Sequence, residues 1–312
     1  MNEILITGVT GFIGKHLLRR LDGQKNIRIR ALVHKKPDTG LLNKDNISVV
    51  EGDLTRRETL DKFCVRGATL VNLAYLGGRP RQDNLAAINN LLEACEKAGI
   101  KRFIHCSSAA VFGRVSNDMV TEDTVCTPSN EYEATKLEIE KAILERASGK
   151  FEIIILRPTA VFGPGGKNLL KLAGDLKSGN KTANYLKSCL FNTRKMNLVS
   201  VYNVVSAVEL FINTEEKIGC DIYIVSDDDD QRNNYLYIEQ YLMKSLSLNG
   251  YPVPVIPFPS FFLKLLLKLM GKTMFDPARV YSSQKLSNFG FKKNISFEDG
   301  LADFSKWYKT AL

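Results

Sequence analysis

The chain has 312 residues, 44% of them hydrophobic and 25% charged, with a formal net charge of +9. That size and composition suit one large α/β unit, or one such unit with a smaller lobe, and exclude a fold that depends on disulfides for its core. The basic residues form no long run and have no interleaved aromatic partners. This argues against nucleic-acid binding and leaves an anionic membrane surface or a phosphate-bearing small molecule as the partners that the charge suits.

Taken in order, Glu3–Thr7 reads as a strand, and glycines at 8, 11 and 14 follow it into a helix from about Gly11 to Leu21. Ile27–Val33, Ser48–Glu51 and Thr69–Leu73 read as further strands. Asn84–Ala98 has the helical period, with Ala87, Leu91, Ala94 and Cys95 on one face. A strand at Arg102–Cys106, a helix at Tyr132–Arg146 and a strand at Phe151–Leu156 complete the alternation. Strands separated by helices predict right-handed βαβ units and a doubly wound parallel sheet of the Rossmann type. Gly163-Pro164-Gly165-Gly166 marks a change of pattern. Residues 1–163 are therefore expected to form a dinucleotide-binding domain, with strands returning to it from about 197–226 at Leu198–Val201 and Ile222–Val225. Residues 164–312 are expected to form mainly a smaller substrate-binding lobe. The acidic run Asp227–Asp230 reads as a solvated loop, and Phe261–Met270 as a helix packed on the lobe, with membrane-surface contact as the alternative.

The six cysteines contain no C-x-x-C pair and the three histidines are scattered, so no metal site is expected and a reducing compartment is. Residues 1–7 lead straight into the glycine turn, too short an apolar run for a signal peptide. Prolines and lysines interrupt Val253–Met270, which falls short of a stable membrane span. A cytoplasmic location is the expectation.

Gly8-x-x-Gly11-x-x-Gly14 sits where a strand turns into a helix. There Gly8 permits the tight turn, Gly11 lets backbone approach a pyrophosphate, and Gly14 lets helix and strand pack closely. The helix N-terminus adds N–H groups and positive dipole for phosphate. The second strand ends Val33-His34-Lys35-Lys36, without the carboxylate that usually takes the adenosine ribose. Basic groups there favour NADP(H), with NAD(H) as the alternative. Tyr132-x-x-x-Lys136 places a phenol and an ammonium on one helix face, where the ammonium would favour the phenolate. Alone, this spacing is common on exposed helices, and its weight comes from its partners. Ser108, just after the strand Arg102–Cys106, is placed at the ligand-binding end of such a sheet. A Ser-His-Asp hydrolase is disfavoured, since no G-x-S-x-G occurs.

Together these residues resemble the extended short-chain dehydrogenase/reductase family, in its NAD(P)-dependent nucleotide-sugar epimerase/dehydratase group. The resemblance runs through Thr7-Gly8-x-x-Gly11-Phe12-Ile13-Gly14, Gly52-Asp53-Leu54, the stretch 84–94, Ser107-Ser108-x-x-Val111-Phe112-Gly113, Tyr132-x-x-x-Lys136, the stretch from Leu156-Arg157-Pro158 to Gly165, and the tail from Phe289 to Tyr308. It implies catalytic roles for Ser108, Tyr132 and Lys136. It implies cofactor contacts for Gly8, Gly11, Phe12, Ile13, Gly14, Asp53, Leu54, Ala74, Tyr132, Lys136 and Pro158, to which the basic end of the second strand adds His34 and Lys35. Substrate contacts are implied for Ser108, Asn84 and Arg194, the last as a diphosphate clamp. It also implies a homodimer built on the helices Asn84–Ala98 and Tyr132–Arg146.

Departures from the family pattern narrow the reading. Ser108-Ala109-Ala110 stands where 4,6-dehydratases carry Thr-Asp-Glu, which disfavours dehydration. Ala160 stands where many UDP-sugar epimerases have Asn, and Asn203 where a V-x-D motif has its acid. The neighbourhood of Arg194, Lys195 and Asn203 resembles 4-keto reductases of nucleotide sugars. The expected function is a nucleotide-sugar epimerase or 4-keto reductase with Tyr132 as acid–base. The alternatives are an NADPH-dependent reductase of a non-sugar ketone and a non-catalytic dinucleotide sensor.

Overall fold

The chain alternates strand and helix, and its central strands are nearly continuous apolar runs, as a parallel sheet covered on both faces requires. In the computed structural model the described residues are 2–35, 40–42, 44–115, 117–147, 149–259, 261, 269 and 278–311. The strands β1 (Asn2–Thr7), β2 (Ile27–Val33), β3 (Ile47–Glu51), β4 (Thr69–Asn72), β5 (Arg102–Cys106), β6 (Met119–Val120), β7 (Glu152–Pro158), β8 (Ala160–Phe162), β9 (Leu198–Ser200), β10 (Cys220–Val225) and β11 (Val280–Tyr281) alternate with nine helices among those residues. These are α1 (Phe12–Leu21), α2 (Arg81–Ala98), α3 (Glu131–Ala147), α4 (Leu170–Ser178), α5 (Lys181–Phe191), α6 (Val201–Asn213), α7 (Tyr235–Ser245), α8 (Gln284–Asn288) and α9 (Phe297–Ala311). Seven strands form one sheet in the order β10-β7-β5-β4-β1-β2-β3. The parallel registers include Ile4 opposite Ile29 and Thr69, and Ile104 opposite Val71 and Ile154. The expected doubly wound Rossmann fold is the observed one.

The chain divides into two compact units. Unit 1 holds residues 1–113, 128–157 and 205–223, and unit 2 holds 114–127, 158–204 and 224–312. The 205–223 piece of unit 1 falls within the return expected from about 197–226, whereas unit 2 takes in 114–127 and 158–163, which precede the expected division.

In unit 1, alternate strand residues Leu5, Leu70, Phe103, Ile153 and Ile155 share one buried cluster with Leu91, Leu92 and Cys95 of α2 and Ile139 and Ile143 of α3. Period two on the strands and a helical period on the helices thus bury the same surface from both sides. Ion pairs brace α2 against α3, with Arg81 2.9 Å from Glu138 and Arg146 3.0 Å from Glu96. Arg102 is buried at the start of β5, where its guanidinium meets Glu152 and donates to the carbonyls of Phe211, Thr214 and Glu216. In unit 2, Phe162, Leu198, Ile238, Leu242, Leu301 and Phe304 form a second core.

Two expectations need correction. The piece Leu198–Val201 is a strand only to Ser200, and Val201 opens helix α6. The run Asp227–Asp230 is a solvated loop only in part, because Asp227 and Asp228 are 1% and 2% exposed while Asp229 is exposed. The segment Phe261–Met270, apart from Phe261 and Leu269, lies outside the described residues, as does Lys36. Among the described residues no helix is long and apolar enough to cross a membrane.

Candidate active site and dinucleotide cradle

The glycine turn is set by steric necessity. Gly8 has φ +71°, and a Cβ there would stand 2.7 Å from the Leu73 carbonyl carbon. A Cβ on Gly14 would stand 2.2 Å from the Gly8 carbonyl oxygen. Helix α1 therefore starts pressed against the end of β1. No side chain caps it at Gly11, and its first turn, which includes Phe12 and Ile13, carries no acid. An uncapped N-terminus at the C-terminal edge of a parallel sheet is the chemistry a pyrophosphate requires. The residues present thus fit a dinucleotide.

The far end of this cradle lies at the ends of β2 and β3. His34 and Lys35 are exposed, and the His34 Nδ1 is 3.8 Å from an Asp53 carboxylate oxygen. The Asp53 carboxylate accepts from the backbone N–H and the hydroxyl of Thr55, both at 2.8 Å. The Thr55 N–H, more than any charge, holds its pKa below the usual carboxylate value. His34, Asp53, Thr55, Leu76, Arg79 and Asp83 line one pocket. Arg79 was not singled out in the sequence, since it lies in a loop without a motif. Leu54 and Ala74 line a neighbouring cavity with Tyr75.

Tyr132, Lys136 and Ser108 come together in unit 1. Helix α3 carries Tyr132 and Lys136 one turn apart, and Ser108 follows β5 and caps a short 3-10 turn over Ala109–Phe112 through the Ala110 N–H at 3.1 Å. The Ser108 hydroxyl lies close enough to the Tyr132 phenol to act on its titration. Burial holds that phenol above its usual pKa, and Ser108 pulls it back. The phenol therefore sits high, where the sequence predicted that an adjacent ammonium would lower it. Lys136 directs its Nζ at the Cys106 carbonyl, 3.4 Å away, and at the Tyr75 ring, 4.7 Å from its centroid. Burial lowers the pKa of Lys136, partly opposed by Cys106 and Glu140. The same environment pushes the Cys106 thiol up to about 11.

A buried polar chain supports the floor. The Thr7 hydroxyl donates to the Asn72 carbonyl oxygen at 2.6 Å, and Asn72 meets His105 Nδ1 at 3.1 Å. Burial drives the His105 pKa well below its usual value, and Lys136 adds to the effect. Asn84 is buried and bonds its side chain to the Leu76 backbone N–H and carbonyl and to the Pro80 carbonyl. Its amide shapes the loop after β4. Pro158 and Arg194 belong to unit 2. Pro158 is buried at the end of β7, and the Arg194 guanidinium stacks 5.2 Å from the Phe191 ring centroid.

The acids of unit 2 do structural work. Asp227 accepts from the Ser200 N–H at 2.9 Å and from the Asn203 amide at 3.0 Å. Asp228 accepts from Asn197, Asn233 and the Tyr281 N–H at 2.6, 2.9 and 2.9 Å. Asn203, which replaces the acid of the V-x-D pattern, also accepts from the Asn294 and Ile295 N–H groups.

The sequence model of the NAD dependent epimerase/dehydratase family matches residues 4–225, from β1 through β10. The chain belongs to this family. As a member of the epimerase/dehydratase family it is 29% identical over 298 residues to a UDP-glucose 4-epimerase of Vibrio cholerae, covering 87% of this chain and 83% of the relative. It is 25% identical over 335 aligned positions to the N-acetyl-α-D-glucosaminyl-diphospho-ditrans,octacis-undecaprenol 4-epimerase of Escherichia coli O157:H7, covering 96% and 94%. Among solved structures, the UDP-glucuronic acid 4-epimerase of Bacillus cereus in complex with NAD superposes with a TM-score of 0.73 at 20% identity, covering 99% of each chain. The dTDP-glucose 4,6-dehydratase of Bacillus anthracis, also with NAD, gives 0.76 at 17% identity, covering 100% and 97%. At these identities the structures speak to the fold alone.

Proposed function

We propose that the chain is an NAD(P)-dependent nucleotide-sugar 4-epimerase with Tyr132 as its acid–base residue. What carries this reading is the approach of the Ser108 hydroxyl to the Tyr132 phenol, with Lys136 one turn away on the same helix, in a chain of the epimerase/dehydratase family. A bound dinucleotide would supply the acceptor and donor of hydride at the sugar carbon. Tyr132 would take the proton from the sugar hydroxyl and return it, while Ser108 holds the same oxygen beside the phenol. Its high pKa suits proton return, and a positive charge arriving with the oxidised cofactor would ease proton removal. Lys136 would bond the nicotinamide ribose with the donors that Cys106 leaves available. The backbone at Gly8, Gly11, Phe12, Ile13 and Gly14 would hold the pyrophosphate, and Asp53, Leu54 and Ala74 the adenine end. In unit 2, Pro158 is assigned to the nicotinamide and Arg194 to the substrate diphosphate. Asn84 is assigned to holding the loop after β4. Helices α2 and α3 are the proposed homodimer surface.

NADP(H) is the proposed cofactor form. No carboxylate follows directly on β2, and Lys35 and Arg79 supply cations for a 2′-phosphate, with the His34 imidazole as a further polar group. The same feature favours a second reading, a 4-keto reductase with exchangeable NADPH.

Incubating the protein with UDP-glucose and with UDP-N-acetylglucosamine tests these readings. Appearance of the C4 isomer with no net change in nicotinamide absorbance supports the epimerase. Stoichiometric loss of NADPH only with a 4-keto sugar supports the reductase. In either case Tyr132→Phe should lower the rate by about 10²–10⁴-fold with dinucleotide affinity retained. A Tyr132→Phe enzyme as fast as the wild type would overturn the mechanism.

A further inference from the structure

Tyr75 lies in the loop after β4, next to Ala74, in a position to which no motif draws attention. Its ring makes two contacts at once. Its face meets the Lys136 ammonium, 4.7 Å from the ring centroid, and the ring stands at 84° to that of Tyr132 with centroids 5.3 Å apart. Lys136 is 5% exposed, so its charge has lost most of its water. Among the described residues its one hydrogen bond is the long contact to Cys106 O at 3.4 Å. A buried ammonium with so little compensation is costly. An aromatic face recovers part of that cost, and recovers more when the cation is desolvated. The edge-to-face contact then ties the same ring to the phenol.

We propose that Tyr75 is a positioning residue: its ring face holds the Lys136 ammonium at the dinucleotide site, and its contact with Tyr132 sets the spacing between the two. The ring supplies this and the hydroxyl does not, since both contacts are made by the π system. The inference rests on the reading of Lys136 as the ribose-binding group, and it acts on that binding step.

The test is the affinity of the intact protein for NADP⁺ and NAD⁺, measured by calorimetry, which needs no sugar substrate. Tyr75→Leu should weaken binding roughly five- to thirtyfold. Tyr75→Phe, which keeps the face, should stay within about twofold of wild type. In a Lys136→Met background the leucine substitution should cost less than about twofold, because the cation it acts through is gone. A merely structural role would instead carry the loss undiminished into that background, and this result would overturn the proposal. Wild-type affinity in Tyr75→Leu would overturn it too. If Tyr75→Leu does not fold, pentafluorophenylalanine at position 75 keeps the shape but reverses the charge of the face, and the same weakening is expected. A wild-type protein that binds neither dinucleotide would overturn both this inference and the cofactor reading. Binding that is indifferent to position 75 would overturn this inference alone.

Discussion

Glu140 and Arg157 form a two-point ion pair inside unit 1, with Arg157 Nε 3.1 Å from Glu140 Oε1 and Nη2 2.6 Å from Oε2. The two residues are 1% and 4% exposed, and the guanidinium also lies over Phe112, 4.8 Å from the ring centroid. Glu140 sits one turn beyond Lys136, so the pair anchors the helix of the proposed catalytic residues to β7. Removing one partner leaves a buried charge. Glu140→Ala should therefore cost about 3–5 kcal/mol in denaturant unfolding, and Glu140→Leu/Arg157→Met should recover most of it. Equal losses in the single and double variants would contradict this account.

The glycine turn makes a sharper contrast. Gly8→Ala meets both a positive φ and the Leu73 carbonyl carbon at 2.7 Å. Gly23 has a similar φ of +76°, with nothing within 4 Å of its added Cβ. Gly23→Ala should cost about 1–3 kcal/mol from the backbone conformation alone, and Gly8→Ala should cost more and also abolish dinucleotide binding. Calorimetric titration of both variants checks the second point.

Asp228 provides a signature in the pH dependence of stability. Burial raises its pKa to about 6, against the opposing bond from the Tyr281 N–H. A carboxyl whose folded pKa lies above its unfolded value binds its proton more tightly when folded. Its contribution is thus most favourable below the unfolded pKa, near 3.8, and is lost as pH rises through about 6. The loss amounts to about 3 kcal/mol across that window. Asp53, Asp61 and Asp230, whose pKa values are lowered, work in the opposite sense as pH falls. The difference between wild type and Asp228→Asn isolates the effect, and a flat difference curve between pH 4 and 6 would count against it.

Cofactor choice turns on the end of β2. His34→Asp puts a carboxylate where it would accept hydrogen bonds from a ribose diol and would repel a 2′-phosphate. The ratio of NADP⁺ to NAD⁺ affinity should fall by about tenfold or more, corresponding to about 1.4 kcal/mol or more. Arg79→Gln should lower NADP⁺ affinity while sparing NAD⁺. An unchanged ratio in both would remove the case for NADP(H).

Much of the sheet was legible because its signals are local. Ile27–Val33 and Arg102–Cys106 have the bounds read from their apolar runs, and the three glycines announced the first turn by spacing alone. The start of α6 was not legible. Leu198-Val-Ser-Val-Tyr is β-branched and apolar, and what ends the strand at Ser200 is a bond to Asp227, distant in the chain. The acidic run misled for the same reason, since its partners Asn197, Asn203, Asn233 and Tyr281 are gathered only by the fold. Tyr75 and Arg79 were missed because a loop after a strand has no periodicity to betray which side chains turn inward. The motifs did name Ser108, Tyr132 and Lys136, but not the direction in which Lys136 points.

The polypeptide passes from one unit to the other after Gly113, Thr127, Arg157, Val204 and Tyr223. A fragment cut at Gly163 would contain Arg102 but lack the Phe211 and Thr214 carbonyls that receive its guanidinium. It would expose the flank of β7 and strand a cation in the interior. Neither piece of a cut at Gly163 is therefore a complete unit, because unit 1 takes its last segment, 205–223, from beyond the cut.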